Sequence, residues 1–78
     1  MLYYPYMTNS KSVRKEVGLK IKEIREKKGL TQEDVAKKAG IFSNYYAKIE
    51  RGEIGTAPEK LHKIVNALGV KASDIFPS

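Results

Sequence analysis

The sequence predicts a small, compact all-α domain of five short helices. Apolar residues recur at three- and four-residue spacings, glycines follow these patterns, and no segment alternates between apolar and polar residues as a strand would. The 78 residues are enough for one domain, and 41% of them are hydrophobic, so a single core can form. We divide the chain into an N-terminal segment, residues 1–11, that is either flexible or an arm, and a helical domain, residues 12–78.

The first helix is predicted over residues 12–28. Its inward stripe follows a helical spacing and consists of Val13, Val17, Ile21 and Ile24. Leu19 lies outside this stripe and is expected to be exposed. Gly18 lies inside the helix, where glycine costs up to about 1 kcal/mol relative to alanine. Gly29 ends the helix, since glycine adopts the left-handed conformation without a steric penalty.

A second helix is predicted between Thr31 and Gly40. Thr31 is expected to cap its N-terminus, and Asp34, three residues further on, completes an arrangement like a capping box. The short apolar face of this helix consists of Val35, Ala36 and Ala39. Gly40 is expected to end the helix and to supply a tight turn.

A third helix is predicted to begin near Phe42 or Ser43 and to end at residues 51–52, with Tyr46 and Ile49 on its inward face. Two short helices joined by a glycine-containing turn can cross steeply where the residues at their closest approach are small. Ala36 meets that condition. The first turn of the third helix is therefore expected to project outward, and a helix of this width fits the major groove of B-form DNA.

The last two helices are predicted in the C-terminal third of the chain. Thr56 and Glu59 have the spacing of a capping box, and Pro58 between them is tolerated in a first helical turn. The apolar face that follows consists of Leu61, Ile64, Val65 and Leu68, and Gly69 ends this helix. Residues 73–76 are predicted to form a final short helical turn that Pro77 stops.

Residues 31–52 resemble the helix-turn-helix of the Cro/C1-type, phage-repressor-like family, also called the XRE family. The resemblance depends on residues 30–36, 39–41 and 48–52, and it extends without gaps from about Val17 to Phe76. It implies a five-helix, lambda-repressor-like fold. It also implies a transcriptional regulator that binds double-stranded DNA in a sequence-specific way and reads the major groove with its third helix.

The resemblance implies roles for individual residues. Gln32 corresponds to a glutamine that clamps a DNA phosphate and supports the reading helix. The complete set of candidate DNA contacts is Gln32, Phe42, Ser43, Asn44, Tyr45, Lys48 and Arg51. Asparagine can pair with adenine and lysine can reach guanine acceptors, so the residue types suit this role. The candidate structural residues are Arg25, Ala36, Gly40, Ile49 and Glu50, of which Arg25 and Glu50 match a pair that forms an internal salt bridge in some relatives.

Two residues depart from the family pattern. Phe42 stands where relatives usually have a capping Ser, Thr or Asp, so the third helix could instead begin one residue later with Ser43 as its cap. Tyr46 replaces an aliphatic core residue, and its hydroxyl is expected to reach solvent or a hydrogen-bond partner. Which of Tyr45 and Tyr46 faces DNA therefore stays open at this point.

Charge and composition limit the classes of function. The net charge of +6 favours a polyanionic partner, but eight basic and three acidic residues between positions 11 and 28 account for most of it. This excess of positive charge fits a solvated first helix as well as a DNA-binding surface. Two alternatives stay open for Lys11, Arg14 and Lys15: a basic arm that reaches DNA phosphates, or the solvated start of the first helix. With no cysteine and a single histidine, His62, we expect no metal ion and no cofactor. No nucleophile lies beside a base, so an enzyme is excluded.

Two functions remain, both for a cytoplasmic protein, since no signal peptide or membrane-length apolar segment occurs. The first is a repressor or autoregulatory controller that binds a palindrome as a homodimer, because one module reads few bases. Its dimer surface is expected in the N-terminal segment or around Leu68, Val70, Ile75 and Phe76. The alternative is an antitoxin or protein-interaction module, which would bind a toxin or another regulator as well as its operator.

Overall fold

The computed structural model describes residues 11–75 and has four α-helices and one 3₁₀ turn in this range. The helices are α1 (Lys11–Lys27), α2 (Gln32–Ala39), α3 (Ser43–Glu50) and α4 (Pro58–Leu68), and the 3₁₀ turn is Ala72–Asp74. The all-α class is confirmed, and residues 11–75 contain no strand. The fifth predicted helix is only a single 3₁₀ turn, since three residues close one turn and no more.

Some predictions fall outside the described part of the chain. The arm or flexible segment predicted for the N-terminus lies there except for Lys11, which begins α1. Phe76 and Pro77, predicted to end the last turn and to take part in a dimer surface, also lie there. Among the helices that are described, none is long and apolar enough to cross a membrane.

One apolar core lies between the four helices. α1 packs against α3, and α2 packs against both α3 and α4. The core consists of Val17, Ile21, Val35, Ala36, Ala39, Tyr46, Ile49, Leu61, Ile64, Val65, Ala67, Leu68 and Ile75. The predicted inward faces therefore point inward, and Leu19 is 54% exposed as expected.

The predicted dimer surface needs a correction. Leu68 and Ile75 are fully buried in the core of their own chain, so neither can supply surface to a second copy. Val70 is partly buried and packs against the same core. The hydrophobic pattern could not distinguish a residue that covers the core from one that contacts another chain, since both are apolar and close to the C-terminus.

The cap and stop of α2 are those that the sequence predicts. The Thr31 hydroxyl accepts a hydrogen bond from the Asp34 backbone N–H at 3.0 Å, and an Asp34 carboxylate oxygen accepts one from the Thr31 N–H at 2.9 Å. These hydrogen bonds lower the pKa of Asp34. Gly40 ends the helix with φ 73°, in the left-handed region that favours glycine. Residues at its own two ends therefore determine where α2, the first helix of the helix-turn-helix, begins and ends.

The starts of α3 and α4 differ from the prediction. Ser43 is the first helical residue of α3 and Phe42 is its N-cap, without a side-chain hydrogen bond, so the alternative start with Ser43 as the cap is wrong. The capping box of Thr56 and Glu59 is also wrong. Pro58 takes the first helical position, where its missing N–H and restricted φ are favourable, and the cap therefore falls on Ala57. Thr56 is buried instead.

The uncapped start of α4 leads to a stability prediction. Ala57 is exposed and has extended backbone angles at the N-cap position, but alanine offers no acceptor to the free backbone N–H groups. Replacing Ala57 by Ser is expected to stabilise the protein by about 0.5–1 kcal/mol. Urea denaturation measures this gain. Ala57→Val is the control and should give none, and equal stability of the two variants would contradict the assigned cap.

Two glycines allow close contact between α1 and the end of α3. A Cβ atom on Gly18 would lie 2.4 Å from the backbone carbonyl oxygens of both Ile49 and Glu50. A Cβ atom on Gly52, which has φ 72°, would lie 2.7 Å from the Cα atom of Lys15. Gly18, which the sequence marks only as a cost to helix stability, therefore lets the α3 backbone lie directly against α1.

Candidate nucleic-acid interface

The opening of α3 projects from the surface. The turn before it is closed by a hydrogen bond of 3.0 Å from the Ile41 backbone N–H to the Ala36 carbonyl oxygen. Ala36 is buried at this crossing, as its small size requires. At the start of α3, Ser43 and Asn44 are exposed. Lys48, one turn further on, is exposed on the same helix face as Asn44. The outward face of α3 is therefore polar, with the Asn44 amide near its start and the Lys48 ammonium one turn further on.

The two adjacent tyrosines of α3 have different environments. Tyr46 is completely buried in the core, whereas Tyr45 is half-buried and keeps part of its surface exposed. The Lys60 ammonium lies 5.4 Å from the centroid of the Tyr45 ring, within the range of a cation–π contact. Only Tyr45 therefore has surface that a ligand can touch.

The Tyr46 hydroxyl does not reach solvent, which was one of its two expected environments. It is buried beside the Glu50 carboxylate, although the two groups do not meet the geometry of a regular hydrogen bond. Burial, together with the neighbouring Glu50 carboxylate, raises the pKa of Tyr46, so the phenol stays neutral. The Tyr46 ring is one of the largest fully buried side chains of the core, and its hydroxyl is buried with it.

A polar network joins α1, α2 and the last residue of α3. One Glu50 carboxylate oxygen accepts a hydrogen bond from Arg25 Nε at 2.6 Å. The other oxygen accepts from Arg25 Nη2 at 3.2 Å and from Gln32 Nε2 at 3.0 Å. Arg25 Nη1 also donates to the backbone oxygen of Leu30 at 2.8 Å. The structure thus contains the Arg25–Glu50 pair that the resemblance implies, and Gln32 lies in direct contact with it.

The network is ionised at neutral pH. Burial tends to raise the pKa of Glu50, but the hydrogen bonds donated by Arg25 and Gln32 outweigh it and hold that pKa below its ordinary value. The hydrogen bond to Glu50 in turn raises the pKa of Arg25. Sequence reasoning did not identify the contact between Gln32 and Glu50, because no local pattern relates side chains 18 positions apart.

A cleft beside this network collects cationic side chains. It is lined by Lys15, Leu19, Lys22, Gln32, Glu50 and Arg51. Sequence reasoning did not single out Lys22, although its spacing of seven from Lys15 places both on one face of α1. Arg51, predicted to contact DNA, is exposed and pairs with Glu53 at 2.6 Å. The structure therefore brings Gln32 and Arg51 together with two lysines of α1.

A second cleft lies at the start of α3. It is lined by Glu33, Ala36, Lys37, Ile41, Phe42 and Ser43. Of the predicted DNA contacts, Phe42 and Ser43 lie here, and Gln32 and Arg51 lie at the first cleft. Asn44 and Lys48 lie on the outward face of α3. The predicted contacts therefore lie at three places on the helix-turn-helix: two clefts and the outward face of α3.

Comparisons with known proteins identify the family. The helix-turn-helix family model matches residues 21–75, which is more than half of the chain. No functionally curated protein sequence matches the chain significantly.

Three solved structures illustrate the likeness. The restriction-modification controller protein C.AhdI from Aeromonas hydrophila is 28% identical, with a TM-score of 0.81 over 83% of this chain and 98% of that one. The clp gene regulator ClgR from Corynebacterium glutamicum is 27% identical, with a TM-score of 0.77 over 81% and 82%. The controller protein C.Esp1396I, a tetramer in complex with its natural 35 base-pair operator, is 34% identical, with a TM-score of 0.74 over 78% and 80%. The chain thus belongs to the Cro/C1-type helix-turn-helix family of DNA-binding transcription regulators.

Proposed function

We propose that this protein is a sequence-specific regulator, a repressor or autoregulatory controller, that inserts α3 into the major groove as a homodimer on a palindromic operator. It would act in the cytoplasm. The observation that carries the proposal is the exposed face of α3, where Asn44 and Lys48 project while Tyr46 and Ile49 hold the opposite face in the core.

The chemistry of the exposed face suits base recognition. The Asn44 amide has a donor and an acceptor, which match the adenine N7 and N6 positions in the major groove. The Lys48 ammonium can donate to guanine O6 and N7. Both residues lie on one helix face, so they would read neighbouring base pairs.

The cleft beside α3 suits contact with the DNA backbone. Gln32 uses one amide hydrogen for Glu50 and keeps a second for a phosphate oxygen. Lys15 and Lys22 place positive charge beside it. Phosphate contacts of this kind orient a reading helix and carry no sequence information themselves.

Homodimer binding follows from the size of the module. A single reading helix contacts too few base pairs to select one site strongly, and paired half-sites about 10–10.5 base pairs apart multiply the selectivity. C.Esp1396I, which binds its operator as a tetramer, supports assembly on DNA for this chain as well.

Selection from a random pool of DNA duplexes tests the proposal. The purified protein should enrich a palindromic sequence whose half-sites are about one helical turn apart. Footprinting at several salt concentrations should then give protected half-sites with that spacing. A protein that enriches no sequence even at low salt would contradict the proposal.

Substitutions on α3 separate base contacts from backbone contacts. Asn44→Ala and Lys48→Ala are each expected to weaken binding to the selected site by about 1–3 kcal/mol and to relax base preference at one position. Gln32→Ala should weaken binding with little change in preference, because its contact is to phosphate. Fluorescence anisotropy on matched and mismatched duplexes measures both effects.

Asn66→Ala and Lys63→Ala are the matched controls. They remove an asparagine and a lysine side chain, the same residue types as on α3, from the exposed face of α4. Both should keep the wild-type base preference. If the α3 variants and these controls behaved alike, α3 would not be the reading helix.

A further inference from the structure

Phe42 is an exposed aromatic residue at a position that favours small polar residues. Its side chain is 81% exposed, the highest value for a large apolar residue between positions 11 and 75. It is the N-cap of α3, where Ser, Thr, Asp or Asn would accept a hydrogen bond from a free backbone N–H, and it makes no such bond. Phenylalanine therefore gives α3 no side-chain cap here, and most of its apolar surface is exposed to solvent.

The surroundings of Phe42 do not suit a protein interface. The cleft that it lines contains Glu33, Lys37 and Ser43, and Asn44 follows on the helix. Its two other lining residues are apolar, but Ala36 is buried and Ile41 is partly buried against the core, so they add little exposed apolar surface. An interface core between two proteins requires a contiguous apolar patch with few charges. A single exposed ring beside exposed charged and polar side chains instead suits a partner that offers one small apolar group within a polar surface.

The major groove of DNA offers such a group. Base edges there present hydrogen-bond donors and acceptors, and the C5-methyl group of thymine is the one apolar substituent among them. Phe42 directly precedes Ser43 and Asn44, at the end of α3 that would enter the groove first.

We propose that Phe42 reads a thymine through its C5-methyl group, next to the base pairs that Asn44 and Lys48 contact. This inference rests on the proposed function. The ring would cover the methyl group and exclude water from it, without any hydrogen bond. Covering one methyl group corresponds to about a fourfold change in affinity. The operator should therefore require thymine at one position of each half-site, where its methyl group matters more than its hydrogen-bonding groups.

Deoxyuridine replacement tests this contact on the operator recovered by selection. Deoxyuridine differs from thymine only by the missing methyl group, so each thymine of a half-site is replaced in turn and the affinity is measured at fixed salt. For the wild type, one replacement should weaken binding about fourfold, and the others should have little effect. For Phe42→Ala, that same replacement should have no effect, whereas Phe42→Leu should keep part of the discrimination.

Two further variants make the result decisive. Phe42→Ser supplies the missing cap, so its melting temperature should rise while discrimination between thymine and deoxyuridine disappears. Leu19→Ala removes the second large apolar side chain that is exposed between positions 11 and 75. Leu19 lines the cleft assigned to the DNA backbone, so the control compares the ratio of affinities for thymine and deoxyuridine, which should stay as in the wild type whatever the overall affinity. Wild-type indifference to every deoxyuridine, or a methyl effect that persists in Phe42→Ala, would overturn the inference while leaving DNA binding intact. A change of oligomeric state in Phe42→Ala without DNA would overturn it too, since a second copy would then cover the ring.

Discussion

Replacing Gly18 by alanine is expected to destabilise the protein by about 2–3 kcal/mol, although alanine is the better helix former. The new Cβ atom would lie 2.4 Å from two backbone oxygens of α3, and a backbone carbonyl cannot rotate aside as a side chain can. α1 and α3 would have to separate, which opens the core around Val17 and Ile49. Thermal denaturation should show a melting temperature lower by roughly 10–15 °C.

Gly29→Ala is the matched control for this prediction. Gly29 has φ 71° with no atom within 4 Å of the position of an added Cβ, so only the backbone conformation opposes alanine there. A loss of about 1 kcal/mol is expected, smaller than at Gly18. If Gly18→Ala were as stable as the wild type, direct contact between the α1 and α3 backbones would not be required for the fold.

Replacing Glu50 by glutamine is expected to cost on the order of 3 kcal/mol at neutral pH, because it removes the buried counter-ion of the Arg25 guanidinium. The remaining carboxylate near Arg25, that of Glu26, is 3.8 Å away and exposed, so it compensates little. The Glu50 side chain is 1% exposed and accepts three hydrogen bonds, from Arg25 and Gln32. The neutral amide can accept only part of this set. Urea denaturation at pH 7 measures the loss, and Arg25→Met, which removes the charge from the other side, should also destabilise.

The same variant has a defined pH dependence. The pKa of Glu50 is lower in the folded protein than its ordinary value of 4.5, so the ionised carboxylate stabilises the fold above that pH. This contribution is lost as the pH falls below 4.5 and through the lowered pKa. The difference in unfolding free energy between the wild type and Glu50→Gln should therefore narrow in this acidic range.

Glu53→Gln is the control for the acid response. Glu53 also pairs with an arginine, Arg51, but both side chains are about half exposed and solvent screens their interaction. Its substitution should change neither the stability at pH 7 nor its pH dependence appreciably. A constant difference between wild type and Glu50→Gln from neutral to acidic pH would contradict the assigned role of the ion pair.

Much of the fold could be predicted because it depends on short-range interactions. The cap of α2 by Thr31 and Asp34 and the stops at Gly29, Gly40 and Gly69 are all where the residues predict them. The error at the start of α4 is also local. Two cap signals one residue apart, Thr56 and the residue before Pro58, competed, and the geometry of proline decided between them.

The candidate site was predictable to a smaller extent. The residue types on the outward face of α3 and the Arg25–Glu50 pair followed from resemblance to a family rather than from spacing. Neither the family resemblance nor the spacing of residues indicated that Gln32 donates a hydrogen bond to Glu50 or that Lys22 lies in the same cleft. The prediction that Leu68 and Ile75 contribute to a dimer surface was wrong, since apolar character alone does not reveal which chain a side chain packs against.

By itself, the amino-acid sequence determined where helices begin and end and which faces are apolar, because helix hydrogen bonds, caps and glycine conformations involve residues within about four positions of each other. Only the tertiary structure decided that Gly18 is a contact point and that Glu50 joins three helices. Those features depend on which helices lie side by side, with partners 18 to 25 positions apart in the polar network. Packing in three dimensions selects such partners, and no local pattern encodes them.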